Sequence, residues 1–199
     1  MLTSCDISSL VIDTLCDQAS GQNITVACFY FDFATQEEQS PAAILGSVLR
    51  QILGGLSEVP AKIVKAFRDR GKVIGGQRLE LAEIVEFLQD LSCSRSTFIC
   101  IDALDECPPG DRVQLLDSLN QILLISPGAR VFLTGRPHIR SEVDRHLVGR
   151  AATRSITPTK DDIIIFLRAK LKEDAMPDAM DGSLEEEIIQ NIPETVSEM

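Results

Sequence analysis

The chain has 199 residues, 44% of them apolar and 25% charged, which suits a soluble globular protein of one good-sized domain, or one domain and part of another. Its net charge of −11 argues against a nucleic-acid-binding surface, and no apolar run approaches the roughly 20 residues that cross a bilayer. The N-terminus has no basic region followed by an apolar stretch, so no secretory signal is indicated, no membrane partner is expected, and the cytoplasm is the default compartment.

Leu2 to Ala19 carries apolar residues at Leu2, Ile7, Leu10, Val11 and Leu15, the spacing of an amphipathic helix. Gly21 and Asn23 end it, and Ile24 to Phe31 follows as a near-continuous apolar strand of the kind buried on both faces of a parallel sheet. Ser40 and Pro41 read as the N-cap and first residue of a helix that runs to about Leu53 and stops at Gly54-Gly55. Pro60 to Arg70 is a second short helix, Gly71 to Gly76 a turn-rich break, and Leu79 to Leu91 a third helix. Thr97 to Ile101 is the next strand, Pro108-Pro109-Gly110 a loop, Asp111 to Leu124 a helix, and Ala129 to Leu133 a third strand. His138 to Leu147 reads as helix and Thr153 to Ile156 as a short fourth strand. Strands separated by crossovers this long predict a parallel α/β sheet.

After Thr157-Pro158 the strands cease, and Thr159 to Glu173 and Ser183 to Asn191 read as helices around the Pro177 loop. Pro158 is thus the expected boundary between an α/β unit, residues 1–157, and the start of a helical one, residues 158–199. The latter is acidic and lacks Lys and Arg beyond Glu173, the composition of a solvated helix face. The six cysteines form no CxxC pair, and His138 and His146 do not supply zinc-ligand spacing. Reduced core thiols are expected.

Chemistry concentrates at two strand ends. Ligands of open parallel sheets bind beyond the carboxyl ends of the strands. Asp102 directly follows an apolar strand, so its carboxylate should emerge at that edge, where magnesium asks for an oxygen ligand and bridges to phosphates. Asp105 and Glu106 crowd onto the next turn, and either could orient an attacking water. The following strand ends in Thr134-Gly135-Arg136-Pro137, which brings a hydroxyl and a guanidinium to the same edge to meet phosphate oxygens. Each feature alone has a structural explanation, such as acids complementing a helix dipole. Their conjunction points to a nucleotide site. A two-metal phosphatase or nuclease built on Asp102, Asp105 and Glu106 would want further strand-end acids, and Asp32 is the only obvious one.

Phe98 to Glu106 resembles the Walker B segment of NACHT domains, signal-transduction NTPases of the STAND class, and Val131 to Pro137 resembles their sensor-1 strand. The likeness is closest to the fungal branch with a nephrocystin-like N-terminal NACHT region, through Val26 to Phe33, Ser40-Pro41 and the Ile44-Leu45-Val48-Leu49 helix. The resemblance implies a P-loop NTPase-like α/β fold that uses Mg2+ with ATP or GTP. It makes Asp102 the magnesium-associated acid, Asp105 and Glu106 the catalytic acidic pair, and Arg136, with Thr134 as a further candidate, the contact to nucleotide.

The family's phosphate loop, G-x-x-x-x-G-K-[ST], has no match here. Gly71-Lys72 is followed by Val73, and Gly54-Gly55 and Gly75-Gly76 read as helix stops. The first helix resembles the one that follows the phosphate loop, so the resemblance implies truncation just after it, with the central strand absent. The unpaired gap is expected beside the Asp102 strand. Such a chain is expected to bind nucleotide only when the loop is supplied, to bind no cofactor alone, and to associate with itself or with homologues. The alternative is a non-enzymatic interaction or decoy module.

Overall fold

A computed structural model describes residues 4–19, 23–32, 39–70, 79–156, 159–172 and 182–197. The expected helix stop at Gly21, the Gly71 to Gly76 break, the Thr157-Pro158 boundary and the Pro177 loop lie outside the described residues.

The helices and strands alternate, from α1 (Ser4–Ala19) and β1 (Ile24–Tyr30) through α2 (Pro41–Gly54), α3 (Ala61–Arg70) and α4 (Leu81–Ser94) to β2 (Ser96–Asp102). Then come α5 (Pro109–Ile125), β3 (Ala129–Leu133) and α6 (Arg140–His146), with single 3-10 turns at Leu104–Glu106 and Pro137–Ile139. The cap at Ser40 is as the sequence predicts: its Oγ accepts the Ala43 N–H at 3.3 Å, with Pro41 in the first turn. Helix α5 begins earlier than expected, at Pro109, because proline is tolerated where a helix N–H has no partner anyway.

The three strands form one parallel sheet in the order β1-β2-β3. Tyr30 lies opposite Asp102, and Ile101 opposite Leu133, so the carboxyl ends of the strands share one edge. One face is covered by α2, α4 and α5, which pack on one another and bury Ile44, Leu49, Leu88, Ile99, Ile101 and Leu116 completely or nearly so. Helix α1 covers β1 and β2.

Several expectations need correction. The Asp102 strand has no gap beside it: β2 is paired along both sides, and the edges of the described sheet are β1 and β3. Thr153 to Ile156 forms no strand; all four residues are exposed, and a short β-prone run that no described strand pairs has little to hold it extended. Leu10, predicted on the inner face of α1, is 66% exposed, while Ser8 is buried in its place. The thiols divide as well: Cys100 and Cys107 are buried, Cys28 is half-buried, and Cys16 and Cys93 are exposed.

Residues Ser4–Ala152 form one compact unit, and the chain from Thr153 belongs to a second. In the second, α7 (Lys160–Lys172) and α8 (Gly182–Ser197) pack together. Thr159 and Asp162 form a reciprocal cap on α7: Asp162 accepts the Thr159 N–H at 2.9 Å, and Thr159 Oγ1 accepts the Asp162 N–H at 3.2 Å. The Thr159 hydroxyl also donates to Asp162 Oδ2 at 2.7 Å, and it, with the Thr159 N–H, holds the Asp162 carboxyl below its ordinary range. No helix among the described residues is long and apolar enough to cross a membrane.

Candidate functional site

The end of β2 sets the site. Asp102 is the last strand residue and is 2% exposed. A carboxylate this deep needs donors, and Oδ1 has two: the Ser8 hydroxyl from α1 and the Thr134 hydroxyl, at 2.5 Å, from the end of β3. Thr134 also accepts the Ala103 N–H at 3.0 Å, donates its own N–H to Ile101 and accepts that of Leu104. The hydroxyl expected to meet nucleotide is therefore tied into Asp102 and the β2 terminus.

Directly after Asp102 the chain turns through Ala103 at φ 55°, ψ 46°, the one non-glycine with positive φ among the described residues. That left-handed step costs an alanine about 1 kcal/mol. It turns the 3-10 segment so that Asp105 and Glu106 face the next loop rather than Asp102. Asp105 Oδ1 accepts the Arg136 N–H at 3.1 Å, and its Oδ2 lies 3.4 Å from Arg136 Nε. Arg136 Nη2 stands 3.8 Å from Glu106 Oε1. The Asp105 side chain is only 7% exposed, whereas that of Arg136 is 73% exposed, so the carboxylate is fixed and the guanidinium is held loosely over it. Gly135 permits the approach, since a Cβ there would stand 2.7 Å from Ile139 Cδ1 and 3.3 Å from Asp105 Oδ1.

Arg112 fixes the acidic turn from behind. Its Nη1 donates to the carbonyls of Cys107 at 2.8 Å and Asp105 at 3.4 Å, and its Nε and Nη2 both bond Glu142 Oε2 of α6 at 2.9 Å. The Cys107 thiol beside it is pushed up to about 12, chiefly by burial, and stays neutral.

All five residues singled out by the sequence thus gather at one sheet edge, in two subsites. Asp102 and Thr134 join Ser8 on the α1 side. Asp105, Glu106 and Arg136 line a cavity of about 200 Å3 with Ala103 and Gly135. Among the described residues no three His, Cys, Asp or Glu side chains converge to hold a metal unaided, which removes support from a two-metal site. A single buried carboxylate among hydroxyls is a hard-oxygen donor set and fits magnesium that keeps its waters and bridges to phosphate. The phosphate half lacks such a fit, because Arg136 is the one cation lining the cavity among the described residues. Ser8, Ala103 and Arg112 were not visible as site residues in the sequence. Only Gly135, between Thr134 and Arg136, carried a local signal.

Residues 6–136 match the sequence model of a protein family described as Nephrocystin 3, N-terminal. No curated protein matches the chain. No solved structure matches it either.

Proposed function

We propose, from the premise that the chain belongs to the nephrocystin 3 N-terminal family, that it is the acid-and-sensor half of a NACHT-type, STAND-class nucleotide switch of the fungal nephrocystin-like branch. The supporting observation is the meeting of buried Asp102 with Thr134-Gly135-Arg136 at one sheet edge, with Asp105 and Glu106 turned toward Arg136. Magnesium bound with ATP or GTP would supply charge that stabilises the phosphates there. The chain's own residues provide the rest. Ser8 and Thr134 hold the Asp102 carboxylate in one orientation to take the metal. The fixed Asp105 and the more exposed Glu106 offer acceptors that orient a water. Arg136, exposed and loosely paired, can leave these acids for a terminal phosphate and so report its presence.

On this reading the phosphate-holding backbone and its Lys and Ser/Thr lie outside these 199 residues. Calorimetric titration with Mg-ATP and Mg-GTP should then give dissociation constants weaker than about 1 mM for this chain alone. Micromolar binding would refute the division of labour. Sequencing the transcript upstream of the Met1 codon supplies the second arm: a strand followed by G-x-x-x-x-G-K-[ST] supports the switch, and unrelated sequence removes that support. A separate observation, the open edge of β3, favours the non-enzymatic alternative of an interaction module.

A further inference from the structure

Three thiols share the layer between α1 and the sheet. Cys28 of β1 and Cys100 of β2 are register partners, so their side chains leave one face of the sheet side by side. Asp102, on the same face of β2 as Cys100, takes a bond from Ser8, which marks that face as the one covered by α1. The third thiol, Cys16, lies on α1 itself.

Two serines fix how α1 lies over the strands. Ser8 reaches Asp102 at the end of β2. Burial raises the Tyr30 phenol at the end of β1, and a hydrogen bond from Ser9 offsets part of that rise. The helix therefore starts at the carboxyl edge of the sheet and runs back to the amino edge, where β1 begins. Cys16 stands one heptad beyond Ser9 on the same helix stripe, about 10 Å further along the axis. Cys28 stands back from Tyr30 on the same strand face by about 7 Å. Stripe and strand thus bring Cys16 over the Cys28 stretch of β1. The stripe that Ser8 begins, over β2, continues through Ile12 and Leu15 and carries no thiol. Electrostatics agrees with this placement. After burial, the charge of Cys16 helps to hold the Cys28 thiol above its ordinary value, and after burial and Cys28 it adds to the rise of Cys100 to about 11.

We propose that Cys16 and Cys28 are a peroxide-responsive thiol pair that closes to a disulfide and pins α1 to β1. A hydroperoxide transfers its outer oxygen to the Cys16 thiolate, giving a sulfenic acid as the O–O bond breaks and hydroxide leaves. The Cys28 sulfur, losing its proton, then attacks the Cys16 sulfur, the S–O bond breaks, and water leaves. With hydrogen peroxide, two thiols and one peroxide become one disulfide and two waters. The sulfurs give up two electrons, and the peroxide takes them. Cys16 is the entry point because it is exposed, and half-buried Cys28 resolves the intermediate. Only a weak contact, 3.8 Å to Gln51 Oε1, holds the Cys28 thiol where it is. Cys100, 1% exposed, stays reduced. The tether fixes the helix that carries Ser8 to the strand beside Asp102, so oxidation acts on the acid's support. The pair does not depend on the nucleotide reading.

Peptide mapping of the Cys93→Ser chain, treated with one equivalent of hydrogen peroxide and then alkylated, tests it. Asp13, Asp17 and Asp32 flank the two cysteines, so cleavage before aspartate leaves residues 13–16 and 17–31 joined only through the disulfide. The expected product is that joined pair, separated again by dithiothreitol, with a raised thermal midpoint in the oxidised chain. Cys5 supplies an internal control, being nearly as far from Cys16 in sequence as Cys28 is. Both lie on α1, about 16 Å apart along the axis and out of disulfide reach, so the folded chain should form no Cys5–Cys16 bridge. The urea-unfolded chain should form both bridges in comparable amounts. Cys28→Ser should leave Cys16 as a sulfenic acid that dimedone traps, and should lose the rise in midpoint. A Cys16 sulfenic acid without a bridge in the Cys93→Ser chain overturns the proposal. So does a bridge to Cys100, or one product mixture in the folded and unfolded chains.

Discussion

The two edges of this small sheet are finished in different ways. Along β1, Gln51 of α2 clamps the outward backbone of Cys28, accepting its N–H at 3.0 Å and donating to its carbonyl at 2.8 Å. Just beyond the strand, Gln39 donates to Asp32 O at 3.0 Å and accepts the Asp32 N–H at 3.4 Å. Each glutamine amide imitates the peptide group of a missing neighbour strand. At β3, among the described residues, Arg130 alone bends back, onto Pro127 and Ala129 at the start of the strand, short of Val131 and Leu133. An unfinished edge is a template for another chain, and among the described residues side-chain amides serve part of the β1 edge, at Cys28 and Asp32, where none serves the middle of β3.

The largest effect on this contrast should come from where β3 joins the sheet. A Cβ on Gly128 would stand 2.4 Å from Ser92 O and 2.5 Å from Arg95 O, both backbone atoms that cannot swing aside. Gly128→Ala should cost about 3 kcal/mol in urea unfolding and detach β3 before it touches β1. Loss of β3 protection with β1 protection intact, read by hydrogen exchange, is the expected pattern.

Gln51→Ala addresses the other edge. It strips Cys28 of both outward partners at an exposed site, so the stability loss should be about 1 kcal/mol. Its sharper consequence is a longer unserved stretch along the β1 edge. Light scattering should show more association in Gln51→Ala than in the unaltered chain, and no increase in Gln51→Asn if the shorter amide still reaches.

The buried thiols sharpen the comparison through pH. Burial raises Cys100, one strand in from the guarded edge, to about 11 and Cys107 to about 12. In the unfolded chain both would ionise near 9. Between those values the unfolded state holds fewer protons than the folded one, so these two thiols leave stability unchanged below pH 9 and lower it toward pH 11 to 12. At neutral pH, Cys16 and Cys93 should alkylate quickly, and Cys100 and Cys107 only on unfolding.

Much of the fold was legible because local chemistry marks it. Ser40-Pro41 announces a helix start, and the apolar runs at Ile24 and Thr97 announce strands buried on both faces. Asp102, Asp105, Glu106, Thr134 and Arg136 were legible as one site because parallel strands bring their carboxyl ends to one edge. Strand order carries no such local mark, which is why a gap was expected beside β2, where the structure pairs both sides. Ser8 was invisible for a related reason: its bond to Asp102 joins residues 94 positions apart. A serine on a helix face otherwise dominated by Val11, Ile12 and Leu15 shows its purpose only when the acid arrives.

The smallest predicted effect lies between the two edges, at Ala103. Its left-handed backbone is held by two bonds from β3, the Thr134 Oγ1 that accepts its own N–H and the Thr134 carbonyl that accepts the Leu104 N–H. The strain is thus imposed by the β3 side and not by β1. Glycine adopts this conformation freely, so Ala103→Gly should relieve up to about 1 kcal/mol, partly offset by the greater entropy of glycine in the unfolded chain. Thermal unfolding of Ala103→Gly should then show a small net gain. Paired with Thr134→Val, which removes the hydroxyl bond, the gain should shrink, because a turn no longer held by Thr134 can relax without glycine. Equal gains in both backgrounds would mean that the turn after Asp102 is set by the 3-10 segment itself and owes nothing to the open-edged strand.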